Sequence, residues 1–193
     1  MWIGKLVHIV NIVHNAVRIG DSMNRTNRGK DFEAEIRACF EAIPNVSVDR
    51  LPDPMGGYSG VKNICDYVIY HRPDTFFIEC KCLYGNTLNF KADISKNQWE
   101  GMTIKSGING CVAGVAVWFI DYDVTAFVPI QILNEQKAKG AKSLNINDLI
   151  GEEPIKHFKI DGVKKRVMYK YFGDSFLLQL HKLAKEYWGE YRG

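Results

Sequence analysis

Residues 64–83 read ICDYVIYHRPDTFFIECKCL, and this stretch decides the fold. Ile64–Tyr70 and Thr75–Leu83 are rich in β-branched and aromatic residues and bracket a turn at His71–Asp74, which predicts an antiparallel hairpin. If the hairpin folds symmetrically about the Arg72–Pro73 bond, Tyr70 faces Thr75, Val68 faces Phe77 and Asp66 faces Glu79. Side chains alternate along a strand, so Lys81 shares the face of Glu79 while Cys80 and Cys82 point away. Directly opposed residues have Cβ atoms roughly 4.5–5.5 Å apart. Two carboxylates and an ammonium therefore converge on one patch of otherwise apolar strand.

Two opposed carboxylates repel, and burying either one unpaired costs several kcal/mol. A divalent cation removes that cost. Mg²⁺ binds through one or two carboxylates and keeps water and phosphate oxygens as its other ligands. Such an ion acidifies a water and neutralises charge on a phosphoryl oxygen, and a nearby lysine orients the water or stabilises the developing charge. Asp66 with Glu79-x-Lys81 thus suits phosphodiester hydrolysis. The competing reading is a buried ion pair with no metal. A solvated polar face fits poorly, because Val68, Ile69, Phe76, Phe77 and Ile78 make both faces apolar. Pro73-Asp74 also precedes Glu79, but Asp74 falls in the turn, and Pro52-Asp53 lies in a glycine-rich loop. Asp66 is the acid that the register selects.

Working outward, Asn24–Lys30 reads as a polar, basic loop, and Asp31 as the N-cap of a helix running to about Ala42 that Pro44 stops. Val46–Leu51 is a short strand, and Pro52–Gly60 a loop by composition. Ser95 caps a helix over Lys96–Lys105. Cys111–Ile120 is a continuous apolar run, expected as a central buried strand. Val124–Val128 is a strand and Ile130–Lys139 a helix. Lys156–Ile160 and Lys164–Tyr169 are expected to pair about Asp161-Gly162, a strong type I′ turn signal. An amphipathic helix covers Ser175–Trp188. This order predicts an α/β fold with a mixed β-sheet flanked by helices.

The 193 residues, 46% of them hydrophobic and including 4 Trp, 9 Tyr and 10 Phe, exclude a disordered chain. No period of repetition is present. The organisation expected is an N-terminal amphipathic leader over residues 1–22, with Met23 as an alternative start, followed by one domain over 23–193 that ends in a hairpin and a helix. The leader is too short and too polar for a membrane span, so no membrane partner is expected. Five cysteines in apolar surroundings, odd in number, indicate reduced thiols in a cytoplasm. Cys80-x-Cys82 lacks a second ligand pair at zinc-site spacing and reads as two buried small hydrophobes. Neither GxSxG nor HExxH occurs. The net charge of +3 does not announce a nucleic-acid partner by itself. Where cations cluster matters more. Arg25, Arg28 and Lys30 precede the first helix, Lys96 lies near Gln98, and Lys164, Lys165 and Arg166 follow the late turn. These are candidate phosphate contacts, and Tyr58 is a candidate stacking residue. Lys137, Lys139 and Lys142 read as solubilising surface.

Taken together, Gly29-x-x-Phe32-Glu33, Cys65-Asp66-Tyr67, Glu79-Cys80-Lys81 and Gln98 resemble the PD-(D/E)xK nuclease superfamily. Within it they look most like RecU-type Holliday junction resolvases, particularly the shorter phage-encoded ones. The resemblance spans about Asn24 to Ile150. It implies a restriction-endonuclease-like core, with Asp66, Glu79, Gln98 and the Cys80 backbone carbonyl at a Mg²⁺ site that tolerates Mn²⁺. Lys81 is then the transition-state stabiliser and Glu33 the helix-borne carboxylate behind the metal, with Glu35 the alternative acid. The implied protein is a Mg²⁺-dependent endonuclease that nicks four-way DNA junctions symmetrically as a homodimer. It acts in a bacterium or a phage's bacterial host, without a nucleotide cofactor. Two departures stand out. Ile64 occupies a position where that family tends to carry Thr, and the segment Pro52–Asn63 is short where RecU proteins insert a stalk. The alternatives are a superfamily nuclease with another DNA substrate and an inactive junction-binding protein.

Overall fold

The computed structural model describes residues 28–51, 63–166 and 168–189. The expected leader, Met23, Arg25 and Tyr58 lie outside these residues. Helix α1 covers 28–41. It is already helical at Arg28, so Arg28, Gly29 and Lys30 belong to its first turn and not to the expected loop. Strands β1 (Ser47–Arg50), β2 (Tyr67–His71), β3 (Asp74–Leu83) and β4 (Thr87–Asn89) follow, then α2 (Lys96–Lys105) and β5 (Cys111–Phe119). A 3₁₀ turn at Ile120–Tyr122 leads into β6 (Val124–Pro129), α3 (Ile130–Ala138), β7 (Ser143–Asn145) and α4 (Asn147–Ile150). The chain ends with β8 (Phe158–Lys159), β9 (Gly162–Lys165), β10 (Met168–Tyr171) and α5 (Gly173–Trp188).

The main sheet has the order β1-β2-β3-β5-β6-β8. Its β3–β5 pair is parallel, joined by a crossover through α2, and its other neighbours are antiparallel. The β2–β3 register pairs Tyr70 with Thr75, Val68 with Phe77 and Tyr67 with Ile78, as the symmetric hairpin requires. Alternation then sends β3 side chains to two different cores. Phe76, Ile78 and Cys80 pack with Phe32, Ile36 and Phe40 of α1 and with Phe176, Leu177 and Leu180 of α5. Phe77 packs on the other face, with Trp99 and Met102 of α2 and Leu133 of α3. Covering both faces leaves Val112–Phe119 of β5 wholly buried, which explains its unbroken apolar run. Among the described residues no helix is long and apolar enough to cross a membrane.

The C-terminal hairpin differs from expectation. Lys156–Ile160 does not pair with Lys164–Tyr169. Instead β8 joins the main sheet beside β6, where Phe158 stacks on Phe127 at 5.2 Å and packs against Phe176. The hairpin is β9–β10, which reverses near Arg166 at φ 55°. Packing of half-buried Phe158 on Phe127 and Phe176, with burial of Ile160, outweighs the local turn preference of Asp161-Gly162. Gly162 is still needed there, because a Cβ would lie 2.7 Å from the Lys170 carbonyl oxygen. The small β4–β7 sheet and α4 carry no strong local signal, and sequence reading does not anticipate them.

Candidate active site

The hairpin register carries Asp66 and Glu79 to one face at the end of β2 away from the turn. Asp66 lies one residue before β2 and is held by main chain on both sides. Its N–H donates to the Ile78 carbonyl at 3.2 Å, and its own carbonyl accepts from Leu51 N–H at 3.0 Å. Its carboxylate reaches across to β3, where Oδ2 accepts the Cys80 N–H at 2.7 Å. The N–H and C=O of a strand residue leave along the same edge, so the Cys80 carbonyl also opens toward Asp66. The Cys80 side chain points the other way, into the α1–α5 core.

Glu79 is 1% exposed. Lys81 Nζ stands 2.6 Å from its Oε1, and Gln98 Nε2 donates to the same oxygen at 2.7 Å. The other oxygen, Oε2, is buried with no hydrogen-bond partner among the described residues. Burial pushes the Glu79 carboxyl up to about 7, and the neighbouring Asp66 pushes in the same direction against the pull of Lys81. The ion pair anticipated as one reading is therefore present, yet it satisfies only half of this carboxylate.

Gln98 occupies this position because it is the N3 residue of a capping box. Its Oε1 accepts the Ser95 N–H at 2.9 Å, while the Ser95 hydroxyl accepts the Gln98 N–H. The helix cap thereby turns the amide nitrogen, not the oxygen, toward Glu79. Offering the oxygen to a metal would require the amide to turn over and give up the cap.

Of the two α1 acids, Glu33 is turned toward the site. It lies 3.7 Å from Arg50 Nη2 and raises the Glu79 carboxyl, as a smaller influence than Asp66 and Lys81. The charge of Glu35 acts on Cys39 instead. Glu33, Lys30, Arg37, Arg50 and Tyr67 line a hollow of about 320 Å³. Sequence reading did not single out Arg37 or Arg50. The β1–β2 pairing, which sets Arg50 opposite Tyr67, is the signal that places Arg50 one residue from Asp66.

The other expected phosphate contacts are dispersed. Arg28 lies over the Tyr84 ring at 5.9 Å, and Lys96 is highly exposed, 3.7 Å from Glu100. Lys164 pairs with Asp123, while Lys165 and Arg166 are exposed on the β9–β10 turn. Asp74 is the first residue of β3, paired with His71 next to the turn, and accepts from His181 Nδ1 at 2.5 Å, far from Glu79 along the strand.

The donors present suit a hard divalent cation. A buried carboxylate oxygen with no hydrogen-bond partner among the described residues stands beside a second carboxylate, and a main-chain carbonyl opens on the same edge. Among the described residues no group of three or more His, Cys, Asp or Glu is placed to hold a metal ion. Two carboxylates, main chain and water are a donor set of the kind Mg²⁺ accepts and zinc does not favour.

The chain is similar to the solved structure of Hjc, a Holliday junction resolvase from the archaeal hyperthermophile Archaeoglobus fulgidus. The identity is 21% and the TM-score 0.41, covering 69% of this chain and 88% of that one. No protein-family model matches the chain, and no curated protein matches it.

Proposed function

We propose that this protein is a divalent-metal-dependent DNA endonuclease that resolves four-way junctions. The observation that carries the reading is Glu79, buried with one oxygen held by Lys81 and Gln98 and the other without a hydrogen-bond partner among the described residues, beside the Asp66 carboxylate. Asp66, Glu79 and the Cys80 carbonyl would hold the ion, Mg²⁺ or Mn²⁺. When bound, it supplies Lewis acidity and charge neutralisation at a phosphodiester. Gln98 Nε2 holds Oε1 of Glu79 and so keeps Oε2 presented. Lys81, with its side chain 22% exposed, carries Nζ against Oε1 of Glu79. There Nζ can donate to an attacking water or to a phosphoryl oxygen gaining charge. Glu33 orders Arg50 at the mouth of the site, and Lys30, Arg37 and Arg50 offer cations to a phosphate backbone.

The choice of branched DNA rests on the resemblance of Asp66, Glu79-Cys80-Lys81 and Gln98 to RecU-like resolvases. Symmetric nicking of a four-way junction needs two such sites related by a two-fold axis, which an isologous homodimer supplies. All five cysteines are free thiols, which supports a reducing compartment such as a bacterial cytoplasm.

The test is incubation of purified protein with a synthetic four-way junction, a flap, a single strand and a plain duplex at matched salt. Paired symmetric nicks in the junction that require Mg²⁺ or Mn²⁺ are expected. Equal cutting of plain duplex assigns another DNA substrate to the same site. A folded protein that binds junctions but cuts nothing with either metal overturns the nuclease reading.

A further inference from the structure

Two exposed apolar surfaces meet on the face of the sheet that carries the candidate active site. The first is a shelf. Strand alternation puts Val68 and Tyr70 of β2 on the same side as their β3 partners, Phe77 and Thr75. Their β1 partners, Asp49 and Ser47, face the same way. Tyr70 is 47% exposed. Asp49 is exposed at the outer strand, its carboxylate accepting from the Ser47 hydroxyl at 3.1 Å. The second surface is a ridge. Asn97 Nδ2 donates to the Asn63 carbonyl at 3.0 Å, and Gly101 lies so close to Ile64 that a Cβ would stand 2.3 Å from its Cγ2. These contacts turn one flank of α2 toward β2. Ile104, three residues on from Gly101, shares that flank and is 69% exposed. Ile108 follows in the turn after the helix and is 47% exposed. Lys105 Nζ lies over the Phe77 ring, 5.5 Å from its centroid.

We infer that shelf and ridge are the two halves of a homodimer interface, in which the ridge of each copy lies on the shelf of the other. Each chain carries both halves, as a contact about a two-fold axis requires. The charges agree with that arrangement. Asp49, Val68 and Phe77 form one row across three strands, with the acid at one end and Lys105 over the other. A half-turn about the middle of the row sets Lys105 of one copy against Asp49 of the other, twice. The result is an apolar centre with a charged rim, as specific interfaces have. A lipid surface fits poorly, since one acid and one base make no cationic face. Asp66 stands two residues before Val68 on the same face, so the axis fixes the spacing between two Asp66–Glu79 sites. The inference thus deepens the reading of paired junction nicking and rests on that reading for its purpose.

The test is sedimentation velocity of the full chain in EDTA, without DNA, across a micromolar concentration range. Wild-type protein should be a dimer. I104E should dimerise at least tenfold more weakly. D49K and K105E should each weaken the dimer roughly fivefold, because like charges then face each other at both ends. The double variant D49K/K105E should restore it to within about twofold of wild type, since exchanged charges again pair. Ile104 and Asp49 are exposed in the single chain, so far-UV circular dichroism should be unchanged in every variant. A wild-type monomer throughout the range overturns the interface; if I104E then lowers its unfolding temperature, a segment of the same chain covers the face instead. A dimer indifferent to I104E overturns the interface as well, by placing the contact elsewhere. Weakening in both single charge variants without restoration in the double overturns the two-fold pairing of Lys105 with Asp49. The nuclease reading fails separately. A dimer that cuts no DNA with Mg²⁺ or Mn²⁺ removes that reading and leaves the interface, whereas a monomer that cuts removes the interface and leaves the nuclease.

Discussion

Oδ2 of Asp66 accepts the backbone N–H of Cys80 at 2.7 Å, joining the residue before β2 to the main chain between Glu79 and Lys81. The bond places a carboxylate by the sheet ladder, not by the preference of a free side chain. It also means that Asp66 and Glu79 approach each other wherever the hairpin forms, metal or not.

Asp66→Asn keeps an amide oxygen for the Cys80 N–H, so the variant should fold. Its unfolding temperature in EDTA should be no lower than wild type, because one of the two mutually repelling acids is gone. Metal-dependent cleavage should disappear. Lys81→Ala should lower cleavage by about 10²–10³-fold while junction binding persists. Time courses of junction cutting and anisotropy in EDTA measure both, and cleavage by Asp66→Asn, or cleavage at the wild-type rate by Lys81→Ala, moves the active site elsewhere.

Glu79 makes the metal-free protein sensitive to pH. Its carboxyl titrates at about 7 when folded, against an ordinary value of 4.5. Below 4.5 the acid is protonated in both states and its contribution is fully present. Between 4.5 and 7 the unfolded chain ionises while the folded chain does not, so stability falls as pH rises. The loss across that window is on the order of 3 kcal/mol. In EDTA the unfolding temperature should therefore drop from pH 5 to pH 7.5, and Glu79→Gln should flatten the drop. Added Mg²⁺ should raise it more at pH 7.5 than at pH 5. An identical pH slope in Glu79→Gln would refute the assignment.

At the turn end of the same hairpin, His181 links Asp74 to His71. Its Nδ1 lies 2.5 Å from Asp74 Oδ2 and its Nε2 lies 2.8 Å from His71 Nδ1. An Asp–His–His chain follows, with each imidazole N–H donating toward Asp74. Asp74→Ala removes the terminal acceptor of a largely buried network and should cost about 1–3 kcal/mol in urea unfolding. Junction cleavage at 25 °C should stay within about twofold of wild type. Loss of cutting with stability intact would show that Pro73-Asp74, not Asp66, supplies the motif acid.

Gly173 opens α5 directly against α1. A Cβ there would lie 1.9 Å from the Cys39 carbonyl oxygen, a backbone atom that cannot swing aside. Gly173→Ala should therefore push the two helices apart and cost about 2 kcal/mol or more, read as a lower unfolding temperature. An unchanged value would contradict the packing of α5 on α1.

Much of the site is legible without any coordinate. The Asp66–Glu79 opposition follows from strand alternation and a tight turn at Arg72–Pro73, both local. The α2 cap is legible too, since Ser95 and Gln98 stand at capping-box spacing. That the same glutamine reaches Glu79 is not, because it depends on how α2 packs across β3. Glu33 and Glu35 cannot be separated on the helix by sequence, and the docking of α1 beside β1 separates them. Asp49 and Lys105 flank one apolar surface only when α2 packs beside β2.

The sequence by itself determined the hairpin register, the facing acids with their lysine, the buried central strand β5 and the capped start of α2. Each depends on periods of two or three to four residues and on single turn residues. Tertiary structure alone decided that Phe158 joins the main sheet in place of a hairpin at Asp161-Gly162, and that β4 meets β7. It also decided that Gln98 holds Glu79, and that Ile104 of α2 shares a face with Tyr70 of β2. These outcomes turn on burial and electrostatics between segments tens of residues apart, where the energy gained by packing a side chain such as Phe158 exceeds what any local turn preference supplies.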